Sequence, residues 1–451
     1  MKNKLLFVFA IILICSLTYA QEHKAYYPDK TLKEIGAYEN GEATGEWRYY
    51  HENGKLSEMG KFESGQKIGV WKTYRKTGTL KFTRTYNQGV LTGAWKYHYE
   101  NGQLAKIGAY HNDEATGDWK YFHMNGKLSN SGKFENGLKI GRWNSYFENG
   151  ELRETRNYIN GRYSGAFKSF YENGQLAKIG AYQNNEATGA WKSYYENGQL
   201  KQIGTCVNGK PSGVWKHYHE NGQLKCTENY VGGILTREYQ SFYENGKLNE
   251  IGEFENGERI GTWKKYHDNG QLEFAVVYDN GKRIGEVKVY FDTGELRHIM
   301  AFDKGKKTGI WKAFNRKGQL KQIGAYKNGI EVGIHKEFYD NGNLLAIKDY
   351  SNEKGIAESK VYRKSGELWQ VGKYINNKPT GEWKIYHRNN RIYQIRIWKD
   401  GKFMNIIVCV DNKGNRLDKG TLSHGNGTVN YYDENGNLTE TKNYVDGVLK
   451  K

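Results

Sequence analysis

Three kinds of residue in this chain have side chains suited to chemistry, and their spacing decides what each could do. The first kind is a basic row: Arg48, Lys72, Lys96, Lys120, Lys168, Lys192, Lys216, Lys264, Lys288, Lys312, Lys336, Lys360 and Lys384 fall at a fixed interval or its multiples. Cations repeated beside aromatic residues suit an extended anionic surface, because regularly spaced like charges sum into one attractive field. The second kind is His217 and His219, two residues apart, which could share a metal but would leave its coordination incomplete. The third is Cys206, Cys226 and Cys409, an odd set without CxxC or Cys/His spacing for a metal. A catalytic site needs a unique convergent set of groups, usually on loops that interrupt the scaffold. None interrupts this chain from about Gly36 to Trp398, so we expect no enzyme, no catalytic residue, no cofactor and no resident metal.

The basic row is positioned by a repeat. Trp47, Trp71, Trp95, Trp119, Trp143, Trp191, Trp215, Trp263, Trp311 and Trp383 share one 24-residue lattice, whose remaining anchors are Phe167, Tyr239, Val287, His335 and Ser359. Around each anchor the pattern is nearly fixed. Gly stands two before it in thirteen of fifteen units, an aromatic three after in all but one, and Leu nine after in all but one. An aromatic stands fifteen after, Cys206 being the exception.

Each unit reads as a β-hairpin, since Asn-Gly at six and seven after the anchor, as in Asn53-Gly54, favours a two-residue type I′ turn. Counting outward from that turn pairs the Leu with the residue four after the anchor and the anchor with the position thirteen after it. That position is Gly in eight units, such as Gly60 and Gly108. Large faces small in register, so a ring can lie over the neighbouring strand. Two strands at ~4.8 Å each give a rise of about 9.6 Å per unit, and on the order of 140 Å for an all-β, single-layer antiparallel meander. Such a solenoid is stabilised by neighbours and needs protected ends. The expected divisions are a leader at 1–20, the hairpin-repeat ribbon at 21–404, and a C-terminal cap at 405–451 with one out-of-phase unit around Gly427, Tyr432, Gly436 and Leu438. In this geometry Cys206 and Cys226 fall too far apart to bridge, so free thiols are expected.

The leader is read from Lys2 and Lys4, the apolar run Leu5 to Cys15, and small Thr18 and Ala20 before Gln21. It predicts an exported protein: periplasmic, surface-held or released. A lipid-anchored variant at Cys15 lacks the small residue wanted at Ile14. Removing the two lysines lowers the formal charge from +18 to +16, still strongly basic.

The unit, seen in Gly93 to Tyr110 (GAWKYHYENGQLAKIGAY) and from Gly189 (GAWKSYYENGQLKQIG), resembles the variant MORN repeat of the YwqK-type antitoxin-like family. The resemblance implies an elongated β-meander that binds proteins or anionic membranes, and the antitoxin label implies a neutraliser of a toxin partner. An export leader and many repeats depart from a cytosolic antitoxin.

Two readings of the basic row stand. In one, Lys96, Lys120, Lys168, Lys192, Lys216, Lys264, Lys288 and Lys312 form a binding face for a protein or an anionic envelope surface. In the other, Lys rows beside the acidic residues five after the anchor, such as Glu52, Glu100 and Glu196, keep a one-layer sheet soluble. Carbohydrate or cell-wall binding is the alternative class. Export argues against nucleic acid, and homodimerisation stays open.

Overall fold

Each repeat supplies two runs of β-branched and aromatic residues bounded by Gly or Asn, and each run forms a strand. A computed structural model describes residues 20–353 and 355–450, so the leader, apart from Ala20, lies outside the described residues. The described residues are all-β and contain no helix. The chain divides into two units, Met1–Gly222 and Gln223–Lys451. In the first, seventeen strands from Gln21–Tyr26 to Lys210–Tyr218 pair antiparallel, each with the next. In the second, Leu224–Val231 pairs with both Ile234–Leu235 and Arg237–Phe242, and from Arg237–Phe242 to Lys402–Cys409 each strand pairs antiparallel with the next; a separate three-stranded sheet holds Gly427–Tyr432, Leu438–Val445 and Val448–Leu449.

The turns differ from the sequence expectation in an instructive way. Within a unit, the His51 amide donates to the Lys55 carbonyl at 2.8 Å and the Gly54 amide to the His51 carbonyl at 2.9 Å. Gly54 alone takes a left-handed φ there, 79°, which makes a type I turn closed by a glycine bulge. The two-residue type I′ turn lies instead between units, where Asn40 (φ 53°) and Gly41 (φ 82°) join the paired Glu39 and Glu42. The three-residue loop moves the pairing by one, so Leu56 pairs with Tyr50, three after the anchor, and not with His51, and a bulge at Ser57, between the Tyr50–Leu56 and Tyr49–Glu58 pairs, moves it back. Beyond the bulge the expected register is found: Trp47 faces Gly60, and Gly45 faces Phe62.

Asn53 has another use in its turn. Its side-chain oxygen accepts the Lys55 amide at 3.2 Å, and its nitrogen donates to the Lys76 carbonyl of the next turn at 2.8 Å. The residue four after the anchor makes a second staple. Tyr171 donates to the Tyr194 carbonyl at 2.7 Å, and Tyr99 to the Phe122 carbonyl at 2.6 Å. Side chains at these two positions therefore satisfy the turn carbonyls of the following unit.

One face of each sheet carries the rings. The residue thirteen after an anchor faces that anchor, but the ring that covers it belongs to the next unit: a β-carbon on Gly60 would overlap the Trp71 ring, and one on Gly252 the Trp263 ring. Gly60 sits at a register break between Met59 and Lys61, where the strand yields room for the indole. Trp71 is 1% exposed and Trp263 0%, burial that a single sheet achieves only by laying rings flat on backbone. Trp71 also donates from Nε1 to the Lys61 carbonyl at 3.1 Å. The aromatic fifteen after each anchor closes the layer edge-on, as Phe62 does against Trp71 at 4.9 Å between centroids.

At the C-terminal end the packing changes character. Phe403, Ile406, Cys409, Leu422 and Val429 form a buried cluster flanked by Trp398, Tyr431 and Tyr444. The Phe403 amide donates to the Gly447 carbonyl at 3.1 Å, and the Tyr432 amide to the Tyr393 hydroxyl at 2.8 Å. Here the small sheet covers apolar surface on the last strands of the long one.

Candidate binding face

Opposite the rings, each basic residue is paired across the sheet with the residue twelve after an anchor. In the first unit, Lys96 faces Ile107, and Ile107 faces Lys120. Lys168, Ile179, Lys192, Ile203 and Lys216 continue the same ladder, with Asn144 as the interruption between Lys120 and Lys168. In the second unit, Lys264, Ala275, Lys288, Ile299 and Lys312 alternate in the same manner. Seven of the eight lysines expected to form the face are exposed, and Lys312 is half-buried.

Strand alternation dictates this arrangement, since the anchor turns inward and its successor outward. The spacing from one lysine to the next is about 9.6 Å, two strand separations. The isoleucines between them are half-buried, and among the described residues no second layer covers them. The Tyr74 hydroxyl lies 3.9 Å from the Met59 sulfur, so the aromatic three after the anchor shares the face, as expected.

Charge on the ladder is largely uncompensated. Among the described residues, Lys96, Lys120, Lys168, Lys192 and Lys216 make no salt bridge, whereas Lys288 lies 3.6 Å from Glu286 with both side chains exposed. Such a surface pair contributes little. Glu52, Glu100 and Glu196 fall in the turns, off the strand ladder. Burial, then the neighbouring Lys96 and Arg75, hold His98 below the usual histidine range.

The ring face keeps its charges paired. Lys67 lies 3.8 Å over the Trp71 centroid and 3.3 Å from Glu58, and Arg259 lies 3.8 Å over Trp263 and 2.9 Å from Glu250. These cations, four before the anchor, were not anticipated from sequence. The signal was a basic residue recurring at that place in only some units, among them Lys67, Lys139, Arg259, Arg283 and Lys307.

Of the other chemistry-bearing residues, His217 and Cys226 are brought together with Glu228, their ligand atoms within 4.8 Å of one another, a set of three groups that could hold a metal ion, whereas His219 stands apart from the strand. His217 lies in the strand Lys210–Tyr218, whereas His219 opens the following turn and accepts the Gly222 amide at 3.0 Å; the two do not share a strand face as the sequence suggested. Cys206, Cys226 and Cys409 are free thiols. Burial raises all three, Cys226 to about 11, so they stay protonated and weakly nucleophilic near neutrality.

Solved structures that align with the chain include TcdB2-TccC3-Cdc42, at 13% identity over 94% of this chain and 28% of that one, with a TM-score of 0.14. The Photorhabdus luminescens Tc holotoxin pore aligns at 12% identity over 94% and 27%, with a TM-score of 0.13. This chain thus spans little more than a quarter of the chains it aligns with. No curated protein matches. The MORN repeat variant matches residues 43–64, 91–112, 139–160, 163–184, 187–208, 211–231, 238–256, 259–280, 307–328, 331–352 and 426–446, together just over half of the sequence. The chain belongs to the MORN repeat variant family.

Proposed function

We propose that this protein is a non-enzymatic repeat scaffold, exported by its leader, that binds an extended anionic partner along the Lys/Ile face. The observation that carries the reading is the ladder itself: exposed lysines without counter-ions alternate with half-buried isoleucines on an uncovered sheet face. Each contact is weak, and linked identical contacts gain affinity with number without any pocket. Among the described residues the strands follow one another through short turns without inserted loops, which supports a binding role over catalysis. A toxin neutraliser is the narrower case in which the partner is one acidic protein.

The test is binding of the mature chain to anionic and neutral vesicles and to proteins from an envelope extract, across a salt series. Binding to an anionic partner falls with salt, because exposed charges are screened over about 8 Å at physiological ionic strength. Salt-insensitive binding, or equal binding to neutral vesicles, removes the ladder from the account.

A further inference from the structure

Beside His335 the ring face fails to close. A cavity of about 210 Å³ opens between Trp311, Tyr326, Glu331, His335, Glu337 and Tyr350, and Lys336 and Lys348 also border it. His335 stands where other units have Trp and lies over Gly324, bonding the Ala325 carbonyl through Nε2 at 3.0 Å. It is 8% exposed, and its smaller ring leaves space an indole would fill.

Sister units show what occupies the equivalent place. In them the residue four before the anchor is a cation held between the anchor ring and the aromatic fifteen after it. Lys67 lies 3.8 Å from the Trp71 centroid and 5.7 Å from Tyr86, with its amine 3.3 Å from Glu58. Arg259 lies 3.8 Å from Trp263 and 5.7 Å from Tyr278, 2.9 Å from Glu250. Beside His335 the same position holds an acid, Glu331, and the flanking rings are His335 and Tyr350, 4.8 Å apart. The cation of that position is missing and Gln322 stands where Glu58 or Glu250 would, while Glu331 and Glu337 bring carboxylates from other positions.

The acids here meet a phenol, a histidine and an amide. Glu331 accepts the Tyr326 hydroxyl at 3.5 Å and stands 3.7 Å from His335 Nδ1. Glu337 accepts the Gln322 amide at 3.1 Å. Among the described residues no Lys or Arg lies within salt-bridge distance of either carboxylate. Of the nearby cations, Lys307 lies 5.0 Å from the centroid of Tyr326, a ring that lines the cavity, and Lys348, which borders the cavity, lies 5.2 Å from the centroid of Tyr374 outside it. Burial, then Glu331, pushes the Tyr350 phenol up to about 12, so it stays a neutral donor to that carboxylate.

We infer that this cavity binds an ammonium or guanidinium group, which takes the place held in sister units by Lys67 or Arg259, against the rings and the Glu331 and Glu337 carboxylates. The group arrives on a side chain of a partner protein or on a free amine. This site is on the ring face, and Lys336 of the Lys/Ile ladder borders it.

Calorimetric titration of the full chain tests it with N-acetyl-arginine amide and N-acetyl-lysine amide as side-chain probes, agmatine and cadaverine as free amines, and methyl glucoside as a neutral control. The cationic probes bind, and the glucoside does not. Tighter binding of the acetyl amides assigns the source to a partner side chain, and tighter binding of the diamines to a small amine. The double variant Glu331→Lys/His335→Trp rebuilds the sister arrangement and loses binding at least tenfold, with a thermal midpoint no lower than the parent. Should that variant misfold, Glu337→Gln, which keeps the Gln322 contact, weakens binding of the cations several-fold. No cation binding by the parent, equal binding by the folded double variant, unchanged affinity in Glu337→Gln, or a glucoside affinity matching that of the cations overturns the inference.

Discussion

The two faces of one sheet, built from alternate residues of the same strands, have opposite properties. On the ring face of the first unit, Trp71 covers Gly60, Phe62 meets it edge-on, and Lys67 is matched to Glu58. On the other face, Lys168, Lys192 and Lys216 stand exposed beside Ile179 and Ile203, with no salt bridge. A one-layer sheet has no core between layers, so it must build one on a single side. The difference teaches that stability and recognition are divided between the faces, and that substitutions on each should be read by different assays.

The largest effect belongs to the ring face. Trp71→Ala removes a side chain that is 1% exposed and leaves Gly60 bare, which should cost about 3–5 kcal/mol. A denaturant titration of the Met1–Gly222 region measures it, and a loss near zero would show that the indole is not what holds adjacent hairpins. Gly60→Ala attacks the same contact from below. The methyl overlaps the Trp71 ring, and overpacking of this kind costs about 1–3 kcal/mol. Gly41→Ala, where nothing lies within 4 Å of the added carbon, separates that steric cost from turn strain, since Gly41 has φ 82°.

Smaller losses follow from the staples between turns. Tyr171→Phe removes the hydroxyl that donates to the Tyr194 carbonyl, a change worth about 1 kcal/mol. Faster amide exchange in the turn after Tyr194 would report it, and unchanged exchange would assign that carbonyl to solvent. The pH response is gentler because the phenols are only half-buried. Burial raises Tyr49 and Tyr350 to about 12, while the unfolded chain ionises near the ordinary value of 10. The unfolded state therefore loses protons first, and stability should decline as pH rises from about 10 to 12. A melting midpoint constant over that range would contradict the burial assigned to these rings.

Much of this was legible in the sequence because the repeat averages out noise. The strands, the pairing of Trp47 with Gly60 and the outward row at Lys96 and Lys120 all follow from a period of 24 and from alternation. The turn was misread because Asn-Gly has more than one use. At Asn53-Gly54 the Asn side chain braces a three-residue loop and reaches the next turn, whereas the mirror-image turn formed at Asn40-Gly41. One misassigned turn then moved the partner of Leu56 by one residue. The cavity beside His335 was not legible, because it depends on three coincident departures from the repeat: Glu331 for a cation, His335 for Trp, and Glu337 across from Gln322. Each departure alone reads as drift.

The division between faces is tested most directly by replacing Lys168, Lys192 and Lys216 with Gln and measuring, on the same preparation, the melting midpoint and binding to the anionic partner surface. The account predicts a midpoint within a degree or two of the parent, since exposed surface substitutions change stability by about 0.5 kcal/mol or less, together with weaker and less salt-dependent binding. Undiminished binding at every salt concentration, or a variant that unfolds as readily as Trp71→Ala, would contradict it.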